Sequence, residues 1–199
     1  TYFTKMKFID SYLKEANKIL EDINKNQVKK VINKIAEIKK IKGRIFFLGV
    51  GGSAANASHA VNDFRKICNI ECYSPADNIS ELTARINDDG WNKSYKDWLV
   101  VSRLKKKDML FIFSVGGGNI KKNVSMNIVE AIKYAKKTKA KIVGVVGRDG
   151  GYTKQIADAS ILIPTVNNKN VTPHCEAFQA VIWHLIISHP KIKVNKTKW

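Results

Sequence analysis

Two glycine-rich turns in this 199-residue chain have a composition suited to holding an anion. They read GVGGS at 49–53 and SVGGGN at 114–119, and a helical pattern follows each. Glycine lets the backbone approach a ligand closely, and a helix N-terminus presents free N–H groups to a phosphate. Neither turn has the GxGxxG spacing of a dinucleotide site or the Gly-Lys-Ser/Thr of a P-loop. Together they favour a phosphosugar pocket, although such turns can also serve only tight strand-to-helix geometry.

His59 and Asp63 form a pair that could bind a metal ion. They are four residues apart on a predicted helix, and this spacing puts both side chains on one helix face. The pair could share a metal ion, or the carboxylate could orient the imidazole. A purely structural pair is the alternative.

Glu176 and His184 form a second acid–imidazole pair, in the predicted last helix. Eight helical residues rise about 12 Å, which is too far for both side chains to reach one ion easily. Either Glu176 precedes the regular helix, or the two act in different sites across a subunit interface. Without a catalytic role, His184 would be a hydrogen-bonded core histidine, and Glu176 would be a first-turn carboxylate favoured by the helix dipole.

The elements that must position these groups follow a βαβ pattern. Short apolar runs are each followed by a polar or glycine-rich turn and then a helical pattern, which is typical of parallel sheets. The predicted strands are 44–50, 70–74, 108–115, 141–147 and 160–165, and the predicted helices between and after them are 53–66, 78–86, 120–138, 151–157 and 175–188. This predicts a doubly wound α/β three-layer sandwich with a five-stranded parallel sheet, in which ligands bind beyond the carboxyl ends of the strands.

The rest of the chain adds helices and a basic tail to that core. Apolar spacings of three and four predict two amphipathic helices, at 2–23 and 26–40. We therefore expect one domain over 1–199, with an N-terminal helical pair in 1–42, an α/β core in 43–190 and a lysine-rich tail in 191–199.

Composition and charge narrow the classes of partner. Hydrophobic residues make up 44% of the chain, which excludes a disordered protein, and 35 Lys and Arg against 17 Asp and Glu give a net charge of +18. Such a field favours anions. The lysines fall on polar helix faces, and no helix-turn-helix or zinc finger is visible, so we expect no specific nucleic-acid partner.

Cysteine usage and hydropathy indicate a cytoplasmic protein. Cys68, Cys72 and Cys175 are an odd set without a CxxC pair, which argues for incidental thiols in a reducing compartment. No apolar stretch approaches the ~20 residues that span a bilayer, and the charged N-terminal segment has no secretory pattern, so we expect no membrane partner.

Five segments in order resemble the SIS-domain sugar-phosphate isomerases, and among them the phosphoheptose (sedoheptulose 7-phosphate) isomerases. They are GVGGSAANASH at 49–59, TARINDDGW at 83–91, FSVGGGN at 113–119, VVGRDGG at 145–151 and EAFQAVIWH at 176–184. The resemblance covers nearly the whole chain. It implies a homotetramer with active sites at subunit interfaces, which would relieve the 12 Å separation within the last helix.

The resemblance also implies roles for individual residues. Substrate contacts fall on Gly51, Gly52, Ser53, Asn87, Asp88 and Glu176, and the phosphate loop on Ser114, Gly116, Gly117, Gly118 and Asn119. Metal and catalytic positions fall on His59, Asp63, Glu176 and His184. Imidazoles and carboxylates together suit zinc, one ion per subunit.

The chain departs from the family pattern at several of these positions. Asp63 stands where the family typically has a glutamate base, and Glu176 where a glutamine ligand is usual. Val115 and Gly116 replace two hydroxyl-bearing residues of the phosphate loop, which is two residues longer here. Backbone N–H groups, Asn119 and Lys121 or Lys122 would then supply the phosphate donors.

The activity that the resemblance implies is the conversion of sedoheptulose 7-phosphate to D-glycero-D-manno-heptose 7-phosphate, for lipopolysaccharide, capsule or another glycoconjugate. Asp63 or Glu176 would be the base and His184 the acid of an enediol mechanism, and a metal ion would polarise the carbonyl. The alternatives are an isomerase of another sugar phosphate and a non-catalytic SIS module that binds a sugar phosphate in regulation.

Overall fold

Five short strands and the helices that follow them form the core of the protein. The computed structural model describes residues 2–196, so residues 197–199 of the expected basic tail lie outside the described residues. The strands are β1 (Ile45–Leu48), β2 (Cys72–Tyr73), β3 (Met109–Ser114), β4 (Lys141–Val146) and β5 (Ala159–Leu162). The helices are α1 (Tyr2–Asp22), α2 (Lys25–Lys40), α3 (Gly52–Cys68), α4 (Ile79–Asp89), α5 (Ser94–Val101), α6 (Met126–Thr138), α7 (Gly151–Ile156) and α8 (Val171–Ser188), with a 3-10 turn at Pro75–Asp77.

The strands pair in parallel in the order β2-β1-β3-β4-β5. The predicted five-stranded parallel sheet and three-layer sandwich are therefore confirmed. β3 lies at the centre, with Phe47 of β1 opposite Phe111 and Gly144 of β4 opposite Ile112. Because all five strands run the same way, their carboxyl ends, and the turns that follow them, meet at one edge of the sheet.

Alternating strand residues supply the two cores on either side of the sheet. Phe47, Phe111 and Phe113 point to the face covered by α2, α3 and α8. Leu110 and Ile112 point to the opposite face, which α5 and α6 cover. Strand residues are buried on both faces, which explains why the strands read as continuous apolar runs in the sequence.

The helices preceding β1 belong to the same packed structure. Buried apolar residues of α2 and Ile19 of α1 join the core on the α3 and α8 face. The side-chain oxygen of Gln27 accepts a hydrogen bond from the Leu162 N–H of β5 at 3.0 Å. At the other end of the chain, the N–H groups of Val194 and Asn195 donate to the Ile67 oxygen at the end of α3.

The helices differ from the prediction in two boundaries and one additional element. The helix expected from residue 120 begins at Met126, because residues 119–124 fold back into a turn closed by two hydrogen bonds between Asn119 and Val124. Helix α5 was not predicted. Helix α8 begins at Val171 rather than at 175, since Pro173 occupies the first helical turn, where the missing N–H has no intrahelical partner to lose.

Within residues 2–196, no helix is long and apolar enough to cross a bilayer.

The burial of β3 predicts a large loss of stability when an apolar side chain there is shortened. Ile112 is 0% exposed, so we expect Ile112→Ala to reduce the free energy of unfolding by about 2–5 kcal/mol. Ile79, which is 67% exposed at the start of α4, is the matched control, and Ile79→Ala should change it by less than about 0.5 kcal/mol. Urea unfolding followed by circular dichroism measures both, and equal effects would contradict the described core.

Candidate active site

A pocket of about 1000 Å³ opens at the carboxyl edge of the sheet. The turns after β1, β3, β4 and β5 all contribute to its wall. Of the residues expected to bind substrate, the pocket is lined by Ser53, Ser114, Gly116, Gly118 and Asn119. The structure therefore brings the two glycine-rich turns together, as the parallel sheet requires.

The pocket lining also includes polar residues outside the expected set of substrate contacts. Lys122 lines it from the turn after β3, and Arg148 lines it from the turn after β4. Thr165 and Asn168 line it from the segment between β5 and α8, and Thr172 lines it from the first turn of α8. Lys122 was one of two lysines considered as phosphate donors. Arg148 lies in the VVGRDGG segment just after β4, and this place after a strand is the signal that could have selected it.

Gly117 has a structural place in the second turn. It is buried with φ +69°, and a side chain there would run into the backbone of Gly150. Its carbonyl oxygen accepts hydrogen bonds from the Thr153 N–H at 2.9 Å and the Thr153 hydroxyl at 2.7 Å. The glycine thus lets the turn after β3 pack directly against the start of α7, and Ser114 Oγ accepts from the Gly117 N–H at 2.9 Å.

Five other residues that were expected to bind substrate do not line this pocket: Gly51, Gly52, Asn87, Asp88 and Glu176. Asn87 and Asp88 are exposed at the end of α4, where the Asn87 amide donates to the Asp88 carboxylate at 2.8 Å. Gly51 is the exposed N-cap residue of α3, with φ +61°. A single copy of the chain does not bring these residues into the lining of the pocket.

Helices α3 and α8 lie side by side and run in the same direction, joined by polar contacts. The Asn56 amide donates to the Glu176 backbone oxygen at 2.9 Å and to the Gln179 side-chain oxygen at 2.8 Å. The Gln179 amide in turn donates to Ser53 Oγ at 3.1 Å. At Gly52, a Cβ would lie about 2.5 Å from the Glu176 carboxylate, so Glu176 fits beside α3 only because residue 52 has no side chain.

Farther along the same two helices, His59, Asp63 and His184 converge. One ligand atom from each lies within 4.8 Å of the others, and the Asp63 Oδ2 atom is 3.6 Å from His59 Nε2 and 3.5 Å from His184 Nε2. The Asp63 side chain is 3% exposed, whereas those of His59 and His184 are 57% and 48% exposed. We call these three residues the His-Asp-His cluster. It is open on its histidine side.

Neighbouring groups fix the orientation of the cluster. The Trp183 indole N–H donates to Asp63 Oδ2 at 3.1 Å, and the Asn62 amide donates to Oδ1 at 3.0 Å. His184 Nδ1 lies 2.7 Å from the Ala180 carbonyl oxygen, which can only accept, so we assign the ring proton to Nδ1. The lone pair of His184 Nε2 then faces the cluster. Trp183 contacts the cluster but was not among the expected site residues, because its partner Asp63 is distant in sequence.

Glu176 does not join the cluster within one copy of the chain. It lies in the second turn of α8, so neither a position before the helix nor a first-turn position describes it. The structure leaves it two turns from His184 and beside the N-terminus of α3, next to Ser53 and the pocket. One chain therefore holds two distinct groups: the cluster, and a pocket lined by Ser53, whose neighbour Gly52 lies against the Glu176 carboxylate.

All three cysteines are buried free thiols. Burial raises the pKa of Cys68 and of Cys175 to about 12, and it raises the pKa of Cys72 well above its ordinary value. Since the thiolate is the nucleophilic form, none of the three is suited to nucleophilic catalysis or metal binding.

Comparisons with known proteins show the family to which the chain belongs. The family model described as the SIS domain matches residues 11–147. The lincomycin biosynthesis protein LmbN of Streptomyces lincolnensis is 32% identical over 160 residues, which are 74% of this chain and 56% of that protein. A phosphoheptose isomerase of Chlorobium phaeobacteroides is 29% identical over 160 residues, 77% of this chain and 66% of that protein. The chain thus spans less than two thirds of the length of both relatives.

A solved structure shares the fold. The phosphoheptose isomerase of Neisseria gonorrhoeae superimposes with a TM-score of 0.79 at 20% identity, over 94% of this chain and 97% of that one. The match to the family model, the parallel sheet order and the paired glycine-rich turns together confirm the resemblance inferred from the sequence: the chain belongs to the SIS-domain family.

Proposed function

We propose that this protein is a sugar-phosphate isomerase that converts sedoheptulose 7-phosphate to D-glycero-D-manno-heptose 7-phosphate. The observation that carries the proposal is the presence, in one SIS-domain chain, of a cationic pocket at the sheet edge and the His-Asp-His cluster. A module that only senses a sugar phosphate needs the pocket alone. The name phosphoheptose isomerase, which several relatives carry, supports the choice of a seven-carbon substrate.

The phosphate group would bind at the turns after β3 and β4. Lys122 and Arg148 supply positive charge there, and Ser114 and Asn119 supply polar side chains. This assignment accounts for the loss of hydroxyl groups at Val115 and Gly116, because charged donors bind phosphate more strongly than neutral ones. Phosphate held at this end would orient the sugar toward Gly51, Gly52 and Ser53.

The His-Asp-His cluster has the donors of a zinc site. Two imidazole nitrogens and a carboxylate oxygen are a ligand set found in catalytic zinc sites, which keep a position open for substrate. The fixed tautomer of His184 fits this role, because Nε2 is free to bind and Nδ1 is hydrogen-bonded to a carbonyl. Zinc bound there would act as a Lewis acid on the sugar carbonyl.

Side chains of the protein would carry out the remaining steps, metal binding and proton transfer. Asp63 has hydrogen bonds on both oxygens and lies between two imidazoles, so we assign it to the metal set. Glu176 is then the base: its carboxylate takes the proton from the carbon beside the carbonyl and returns it to the neighbouring carbon of the enediol. His184 Nε2 cannot both bind metal and act as the acid, so the hydroxyl proton passes between the two adjacent sugar oxygens.

Two copies of the chain would share each site, in a homotetramer. The two-turn separation of Glu176 from His184 supports this arrangement, since one sugar cannot easily bridge both within a copy. Exposed apolar residues supply surfaces for assembly: Met6, Phe8, Ile9, Leu13 and Leu20 on α1, with Val181 and Leu185 beside His184. Asn87 and Asp88 would then contact sugar bound against a neighbouring copy.

We place this reaction in the cytoplasm, in the supply of heptose for lipopolysaccharide, capsule or another glycoconjugate. The three buried, unpaired thiols support a reducing compartment.

The central test is isomerase activity with and without the proposed base. Purified protein with zinc should convert sedoheptulose 7-phosphate to an aldoheptose phosphate, detected by mass spectrometry and NMR. Glu176→Gln should lower kcat by about 10²–10⁴-fold, because the amide cannot accept the proton. Glu37→Gln, at an exposed position of α2, is the control and should leave kcat unchanged.

The outcomes separate the competing functions. Turnover of a different ketose phosphate alone would make the substrate assignment wrong. Tight binding of sugar phosphates without turnover of any would favour a regulatory module instead.

The hydrogen bond from Trp183 to Asp63 should tune metal affinity. Trp183→Phe keeps a ring in the core but removes the N–H donor, so zinc affinity measured by titration calorimetry should fall about 10–100-fold. Trp98→Phe, in the core on the other face of the sheet, is the control and should bind zinc as the unchanged protein does. Equal affinities for all three proteins would exclude this role for the indole.

The proposed assembly predicts that a charge on α1 separates the subunits. Leu13→Asp places a carboxylate in the exposed apolar set, and we expect light scattering after gel filtration to report a smaller species with little activity. Lys14→Asp, at the adjacent exposed position, should stay tetrameric and active. A fully active Leu13→Asp monomer would contradict shared sites.

A further inference from the structure

One wall of the pocket is formed by the segment that connects β5 to α8. Thr165 and Asn168 line the pocket from this segment, and Val171 and Thr172 line it from the first turn of α8. We call residues 165–172 the pocket wall. The wall contains no strand, and its only helical residues are its last two, so sheet and helix hydrogen bonds do not hold most of it in place.

A single carboxylate on α1 receives three hydrogen bonds from this part of the chain. The Asn167 amide donates to Glu15 Oε1 at 2.6 Å, and the Asn170 amide donates to Oε2 at 2.8 Å. His174 Nε2 also lies 2.8 Å from Oε2, and its ring stacks on Tyr12 with the ring centroids 4.4 Å apart. These donors alternate in sequence with residues that line the pocket.

At Asn170, the hydrogen bond to Glu15 replaces the helix-capping hydrogen bond that is usual at this position. It is the N-cap residue of α8, a position where an asparagine side chain normally accepts a hydrogen bond from the first turn of the helix. Here its side chain makes no capping bond and donates to Glu15 instead. Departures of this kind from local sequence rules are expected at functional positions.

The carboxylate is well suited to hold three donors at once. Hydrogen bonds from Asn170, Asn167 and His174 lower the pKa of Glu15 to about 2, so it stays ionised at neutral pH. An ionised carboxylate only accepts hydrogen bonds. A glutamine at position 15 would instead turn its NH2 group, which is a donor, toward one of the three donors.

We propose that Glu15 is a positioning residue for substrate: through Asn167, Asn170 and His174 it holds the pocket wall in the form that receives the sugar phosphate. This inference rests on the proposed function for its substrate, but the contact itself does not. It assigns the N-terminal helix a role in binding in addition to packing. Glu15 touches no reacting atom, so its loss should affect binding of the substrate rather than the chemical step.

The first test measures the wall without any ligand. Hydrogen exchange of the full-length protein should show amides in 165–172 of Glu15→Gln exchanging about tenfold faster, with β3 and β4 unchanged. Glu21→Gln, an exposed carboxylate on the same helix, should exchange as the unchanged protein does. Uniformly faster exchange, or no change in the wall, would overturn the proposal, because the first indicates general destabilisation and the second an independent wall.

The second test measures the consequence for substrate. Glu15→Gln should raise KM for sedoheptulose 7-phosphate about tenfold with kcat within about twofold, and it should leave zinc affinity unchanged. Asn167→Ala removes one donor from the wall side and should shift KM in the same direction, which covers the case in which Glu15→Gln does not fold. A loss of kcat at unchanged KM would overturn the positioning role.

The two tests separate failure of this inference from failure of the proposed function. If neither the unchanged protein nor any variant turns over the sugar, the isomerase proposal fails. Binding of sedoheptulose 7-phosphate is then measured by calorimetry in place of KM. Weaker binding by Glu15→Gln then still supports the positioning role, and equal binding overturns it.

Discussion

The contact between α3 and α8 is the interaction on which the site depends. Asp63 is almost fully buried, and leaving a buried polar group without a partner costs about 1–3 kcal/mol. Trp183 on α8 supplies one of its donors, and His184 follows on the same helix. The polar contacts of Asn56 and Gln179 fix the two helices at one relative height. If α8 were shifted by one turn, Asp63 Oδ2 would lose its indole donor and the two histidines would separate.

Net charge says little about this site. The chain has an excess of 18 positive charges, yet its most specific chemistry lies in a buried carboxylate between two imidazoles. Lys122 and Arg148 are the cations that line the pocket within the described residues, and most other lysines lie on solvated helix faces. Attraction of an anion toward the protein is therefore a general property of the surface. Recognition depends on a few side chains at the ends of parallel strands.

Sequence patterns predicted the sheet and part of the site, because these features depend on residues that are close together in the sequence. Strands buried on both faces and the spacing of His59 and Asp63 are local features, and each can be read within one element. The convergence of His184 with them depends on how α8 packs, and the donors of Glu15 lie more than 150 residues from it. Residues 119–124 form a turn although Ile120 and Val124 have the spacing of a helix, because the turn is closed by hydrogen bonds between Asn119 and Val124. Long-range polar contacts leave no periodic signal.

The absence of a side chain at Gly52 has a consequence for the divergence of this chain. Any larger residue there would collide with the Glu176 carboxylate, and a smaller residue at 176 would leave the space beside Gly52 empty. A side chain at position 52 would therefore force the Glu176 carboxylate into another rotamer, away from its place beside the start of α3. A substitution at either position changes which residues the other tolerates. The missing side chain at Gly52 thus links the evolutionary history of the two positions.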